Sequence, residues 1–413
     1  MSYQENNRKN ALHGFALGIA TTIAEAHTIL PLIIHHFSSS LLLVGIFTSL
    51  LRGGAVFVQL FAAFYAQSYP RMMPYLKIVF FVRFASWFLI GVSIYVVGDS
   101  NKTLTLWLMG IGLFIFSFSA GFGGIYFKEI IAKVFEKEQR GITMANKQFF
   151  ASLGSMLSGG VAGFVLEHYE APQNYAYLFM VSALLMAVGL VAFSSIKEPI
   201  KTEVQAKEAH FGLFLKNAYH LYHHDSRLRL QIGISLLGYA FLLSMPFIIL
   251  KAQATFSLSG WLIGGFITIQ MIGSMLGNLT LWKKMHGDYI RMMQFALSIM
   301  IALFFLALWA DSIWHYFLIF LLFGLARDGF RNADLNLILE IAPQSKRPVY
   351  IAIQSTLTSF GLFFAIPGGF ILQYFGYHIL YGTSILLITV SLYLTIALKD
   401  RSNNLRDDKA THN

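Results

Sequence analysis

Two charged residues interrupt long apolar stretches near the N-terminus, Glu25 between Leu17 and Pro31 and Arg52 between Leu41 and Leu60. A charge in a membrane interior costs about 2.5–3.5 kcal/mol on insertion scales, and it persists where it is paired or faces an aqueous path. A guanidinium and a carboxylate there define a polar site in which Arg52 holds an anionic group. Glu25 competes for that arginine and takes a proton when the pair opens. The competing reading is a buried ion pair that only fixes two helices. A second charged group, Arg327, Asp328, Arg331 and Asp334, has helical spacing, with Asp328 to Arg331 and Arg331 to Asp334 as i,i+3 pairs. Its readings are an inner gate network, snorkelling side chains or a direct substrate contact. His27 follows Glu25 by two positions, so on a continuous helix it faces elsewhere, as a core histidine. His220, His223 and His224 share a helical face and suit either a metal or a solvated surface.

These residues need elements to carry them, and the composition says which. The chain has 413 residues, 56% of them hydrophobic and 12% charged, with a mean hydropathy of +0.62. Soluble domains carry roughly 25% charged residues, so this is an integral membrane protein. The absence of cysteine removes disulfides and thiolate chemistry. A bilayer core needs ~20 apolar helical residues. Windows of that length predict twelve spans: 11–34, 41–66, 75–97, 103–126, 145–166, 174–196, 228–250, 259–282, 291–310, 313–336, 350–373 and 379–398. Continuous runs rather than short alternating segments exclude a sheet barrel. The first run is too long for a signal peptide and is expected to remain as a span.

On that topology Glu25 lies about nine residues from the outer end of its span, roughly 13 Å. Arg52 lies about eleven from the outer end of the next, roughly 16 Å. The two meet near the midplane. Arg83, in the third span, is expected to have a structural partner.

Lysine and arginine placement sets the orientation. With both termini on the cytoplasmic side, that side receives Arg8, Lys9, Arg71, Lys128, Lys133, Lys137, Arg140, Lys197 and most other cations, while the opposite side keeps Lys102 and Lys251. The net charge of +10 is therefore topological and does not point to nucleic acid. The plasma membrane, an inner membrane in a two-membrane bacterium, is the expected location.

The halves also repeat each other. Leu51-Arg52-Gly53-Gly54 with Gln59 matches Leu262-Ile263-Gly264-Gly265 with Gln270. Gly163-Phe164-Val165-Leu166 matches Gly369-Phe370-Ile371-Leu372, and Arg140-Gly141 matches Arg347-Pro348. Pro31-Leu32-Ile33-Ile34 answers Pro246-Phe247-Ile248-Ile249. The order is kept throughout, at a spacing of about half the chain. Two six-span halves in parallel relation follow: 1–196 as an N-terminal bundle, 197–227 as a cytoplasmic linker with a surface helix near Phe211 to Tyr222, and 228–413 as a C-terminal bundle with a short tail. The expected fold is all-α, twelve transmembrane helices in two pseudo-symmetric six-helix bundles around a central cavity.

Twelve spans, an internal two-half repeat and a long central cytoplasmic loop resemble the major facilitator superfamily of secondary transporters. The family's charged loop after the second span is reduced here to Arg71, without its usual acid, and Gly159-Gly160-Val161-Ala162-Gly163 lacks the proline of drug/proton antiporters. The resemblance implies that Gln59, Tyr239, Gln270, Asn278 and Gln354 lie on cavity-lining helices. The substrate and proton-coupling candidates are then Glu25, Arg52, Gln59, Tyr239, Gln270 and Gln354. The cytoplasmic gate candidates are Arg71, Arg140, Arg327, Asp328, Arg331, Asp334 and Arg347. No metal site and no cofactor is expected.

The expected function is secondary active transport of a small solute by alternating access, with a proton or another ion as partner. The arginine favours an anionic or zwitterionic metabolite, whereas the 15% aromatic content suits export of amphipathic compounds or drugs. A membrane-embedded enzyme or sensor is the other class. Against it, the chain has no Walker-type phosphate loop, no H-E-x-x-H, no G-x-S-x-G and no large soluble domain. A monomer in the bilayer is expected, with no nucleic-acid partner.

Overall fold

The computed structural model describes residues 3–411 apart from 24, 57, 59–61, 63–68, 201–210, 286 and 344–346. The described residues are helical, with no strand among them. Nine helical runs in them are long and apolar enough to cross a membrane, and Leu41–Gly53 is a shorter apolar helix. The last run, Ile353–Asp400, is more than twice the ~20 residues that a bilayer needs. It turns at Gly376, whose φ of 78° is the left-handed backbone that glycine adopts without strain.

The chain divides into two compact units: Met1–Glu208 with Ile249–Met271, and Ala209–Ile248 with Ile272–Asn413. In the first, α1 (Tyr3–Ile23) packs on α6 (Lys137–His168) and α7 (Gln173–Ser194), and α4 (Met73–Val96) packs on α5 (Lys102–Val134) and α7. Between them in sequence lie α2 (Ile29–Phe37) and α3 (Leu41–Gly53). Small residues set how closely these helices approach. A Cβ on Gly18 would meet the Ala151 backbone at 2.9 Å, and one on Gly91 would meet Ala176 O at 2.9 Å. Trp87 Nε1 donates to Ser182 Oγ at 2.7 Å, so the buried indole has its partner.

The second unit contains α8 (Phe211–His224), α9 (Ser226–Gly238), α12 (Tyr289–Leu308), α13 (Ile313–Ile341), α14 (Arg347–Thr358) and α15 (Ala365–Thr411). The division passes through α10 (Phe241–Thr255) and α11 (Gly260–Leu276).

The first and seventh expected spans are interrupted at corresponding points. The first breaks over 25–28, between α1 and α2, and the seventh breaks at Tyr239 and Ala240, between α9 and α10. These positions correspond in the repeat, each about one and a half turns before its proline, Pro31 or Pro246. A proline removes one amide donor and crowds the carbonyl one turn earlier. Carbonyls at the two breaks themselves keep partners. Glu25 O accepts from Leu30 N at 3.1 Å, and Ala240 O accepts from Ser384 Oγ at 3.1 Å. In the eleventh span the helix tightens into a 3-10 stretch, Ser359–Phe363, where a Cβ on Gly361 would sit 2.6 Å from Tyr239 Cβ.

Candidate functional site

The break between α1 and α2 places Glu25 and His27 where a regular helix would not. Glu25 is 5% exposed, and its Oε1 accepts from Gln270 Nε2 of α11 at 2.8 Å. Gln270 is fully buried and falls in the same compact unit as Glu25. Arg52, in the last turn of α3, donates from Nη1 to His27 Nε2 at 3.2 Å. Arginine has no acceptor, so His27 Nε2 must be unprotonated and the ring proton sits on Nδ1. His27 is 0% exposed, the core histidine expected from the sequence, and Arg52 is its partner. Helical periodicity ends at the break, and the turn of Ala26 to Thr28 swings the imidazole to the arginine.

The α3 end is held close to α5. Ala55 N donates to Ser117 Oγ at 3.3 Å, and a Cβ on Gly54 would meet Phe118 N at 2.9 Å. This fixes the turn that follows Arg52. Gln59, the repeat partner of Gln270, lies outside the described residues.

The remaining candidates fall in the second unit and form two separate networks. Asp334 is 7% exposed, and its Oδ1 accepts from Gln231 Nε2 at 3.0 Å, from Gln354 Nε2 at 2.7 Å and from Ser235 Oγ. Gln354 therefore belongs with Asp334. Asp328 Oδ2 accepts from Asn278 Nδ2 at 2.8 Å and from Ser274 Oγ, while Arg327 Nε lies 3.7 Å from Oδ1. Asn278 sits in a π-helical turn, Gly277–Leu281, which re-aims its amide from the α11 axis toward α13. Arg331 is exposed, and the expected i,i+3 pairs with Asp328 and Asp334 are replaced by these polar partners. The physical reason is burial: both aspartates turn inward to amides and hydroxyls, while the arginine stem reaches outward. Tyr239 is the residue at the α9 break, its ring 5.3 Å from that of Phe330.

Arg71 is exposed, and Arg140 donates from Nε to Phe135 O at 3.0 Å and from Nη2 to Ala132 O. Arg347 opens α14, with its side chain outside the described residues. One residue on that side was not singled out by its sequence, Glu198. Its carboxylate is 2% exposed and accepts from Met72 N at 2.8 Å and Met73 N at 2.7 Å, at the positive end of the α4 helix dipole. Lys133 Nζ lies 2.6 Å from its Oε1. The sequence signal was present in the Glu198-Pro199 pair that opens the linker: an acid just after a span, able to reach a helix start.

No curated protein matches the chain by sequence. Among solved structures, the nucleoside transporter NupG is similar over 95% of this chain and 99% of its own, at 14% identity and a TM-score of 0.74. A bacterial homologue of the iron transporter ferroportin, in an inward-facing state, covers 96% and 99% at 12% identity and 0.71. The D-xylose-proton symporter covers 94% and 96% at 15% identity and 0.65. At such identities these likenesses show the fold alone. The sequence itself matches the Major Facilitator Superfamily over residues 11–361. The chain is a multi-pass membrane transporter rather than an enzyme, and it belongs to the major facilitator superfamily.

Proposed function

We propose that this chain is a secondary active transporter that moves a small solute across the plasma membrane by alternating access, coupled to protons at Glu25. The observation that carries the reading is the Glu25–Gln270 hydrogen bond in a helix break, beside the Arg52–His27 pair. Discontinuous helices near the bilayer midplane expose backbone and side-chain polar groups where cargo and coupling ions bind. Glu25 is the proton carrier, Gln270 reports its protonation to α11, and Arg52 draws an anionic or zwitterionic metabolite.

The moving parts in this reading are two six-span halves, 1–196 and 228–413, joined through 197–227, with both termini cytoplasmic. The Asp328 and Asp334 networks, Arg71, Arg140, Arg331 and Arg347 serve the inner gate, Tyr239 responds to cargo from the second half, and Gln354 relays that response to Asp334. Purified protein in liposomes with an imposed pH gradient, screened across metabolite classes, tests it. Uptake accompanied by internal acidification or alkalinisation is expected, and uptake with no change in internal pH rejects proton coupling. Normal transport by both Glu25→Gln and Arg52→Ala rejects the site.

A further inference from the structure

A second group of charges lies in the first unit, apart from Glu25. Lys147, almost three turns into α6, places Nζ 3.6 Å from the centroid of the Phe127 ring. Arg83, in α4, lies with Cζ 4.6 Å from the Phe116 ring. His13, in α1, is 2% exposed, and its ring sits 5.5 Å from Phe127, 4.9 Å from Phe193 and 5.6 Å from Phe80, one turn before Arg83. A Cβ on the adjacent Gly14 would meet Lys147 Cγ at 2.7 Å, so α1 and α6 touch here. Lys147 and His13 share the Phe127 ring, and Arg83 lies one turn beyond Phe80, whose ring also packs on His13.

Their partners are unusual in kind. Among the described residues, no carboxylate forms an ion pair with either cation. Arg83 Nε and both ring nitrogens of His13 are buried without a hydrogen-bond partner among those residues. The structural pairing expected for Arg83 is therefore not made by a protein anion. Aromatic faces compensate a cation only partly, and a buried donor left unmade is costly. Both cations nevertheless keep some exposure, so an outside group can reach them.

We propose that Lys147, Arg83 and His13 form a binding site for an oxyanion, a carboxylate or phosphate group carried by a solute or by a lipid headgroup. Lysine gives a compact charge, arginine a planar fork that matches either oxyanion, and histidine a neutral N–H donor. The phenylalanine rings exclude water and accept an apolar body attached to the charged group. The site is independent of proton coupling at Glu25 and stands or falls separately.

The test uses the purified full chain in phosphatidylcholine nanodiscs and reads the thermal unfolding midpoint. Sodium benzoate and sodium phosphate are titrated against sodium chloride of equal ionic strength, and a parallel sample carries phosphatidylglycerol in the disc. A ligand that binds only the folded state raises the midpoint, here by about 3 °C or more at saturation. A rise with benzoate or phosphate identifies a solute site, and a rise with phosphatidylglycerol alone identifies a lipid site. Lys147→Met and Arg83→Met should lose that rise, and Lys147→Arg should keep most of it. A purely structural role would change the baseline midpoint but not its dependence on the anion. No rise in any arm of the wild type, or an equal rise in both methionine variants, overturns the proposal.

Discussion

Gln270 Nε2 donates to Glu25 Oε1 at 2.8 Å, joining residues that lie 245 positions apart. Both side chains are buried, so the bond is made in a medium where a hydrogen bond to a charged group contributes about 1.5–3 kcal/mol. Gln270→Leu should lower stability by about that amount, read as a fall in the thermal midpoint. It should also cut solute uptake more than tenfold, while Gln270→Glu should fail more severely by setting two carboxyls against each other. Wild-type uptake in Gln270→Leu would remove Gln270 from the mechanism.

The Glu198 carboxylate, joined to Lys133 and to the first amides of α4, is the firmest ionic contact in the first unit. Removing one partner of a buried pair costs about 3–5 kcal/mol because the other is left uncompensated. Glu198→Ala should approach that loss in thermal or denaturant unfolding. Glu198→Gln keeps an acceptor for Met72 N and Met73 N and should lose about half as much. Equal effects would show that the amide contacts contribute nothing.

Glycines of equal sequence appeal differ sharply in the structure. A Cβ on Gly264 would lie 2.9 Å from Gly163 Cα and intrude on the backbone of Gly159, whereas one on Gly160 meets nothing within 4 Å. Gly264→Val should destabilise the protein by about 1–3 kcal/mol through overpacking. Gly160→Ala should be neutral or slightly stabilising, since alanine suits a helix better. Expression and unfolding of the two variants side by side decide this.

At the far end of α2, His35 is exposed but lines a 260 Å³ cavity with His36 and Tyr175. Partial desolvation there holds its imidazole below the usual 6.5. A depressed value means that the unfolded chain binds the proton first, so folded-state stability is full above 6.5 and is lost as pH falls through the lower folded value. The thermal midpoint should decline below pH ~6.5, and His35→Gln should decline less. Identical profiles would place the acid sensitivity elsewhere.

The membrane class and the charged residues were legible in the sequence because an intramembrane charge is too costly to be incidental. Gln270 was legible through its repeat partner, Gln59, and not through its own surroundings. The break at 25–28 was not, since Ala24, Ala26 and Ile29 continue the apolar run without a visible stop. That Arg52 is the partner of the buried His27 was hidden for the same reason: a face argument needs a helix, and there is none at that point. Glu198 escaped notice in a polar linker where acids are ordinary. Lys147 and His13 sat near the ends of spans, where positive residues usually mark topology, and only their packing on Phe127 separates them from that background.

The two interrupted crossings carry a historical consequence. The bend occurs at matching points of both copies, Glu25 and Ala240, yet only one copy has the acid there. On the proposed two-half reading, a half-length ancestor already possessed the kinked crossing, and the bend is the older trait. The carboxyl marks where the sister copies diverged, turning a shared scaffold into one with a single ionisable side.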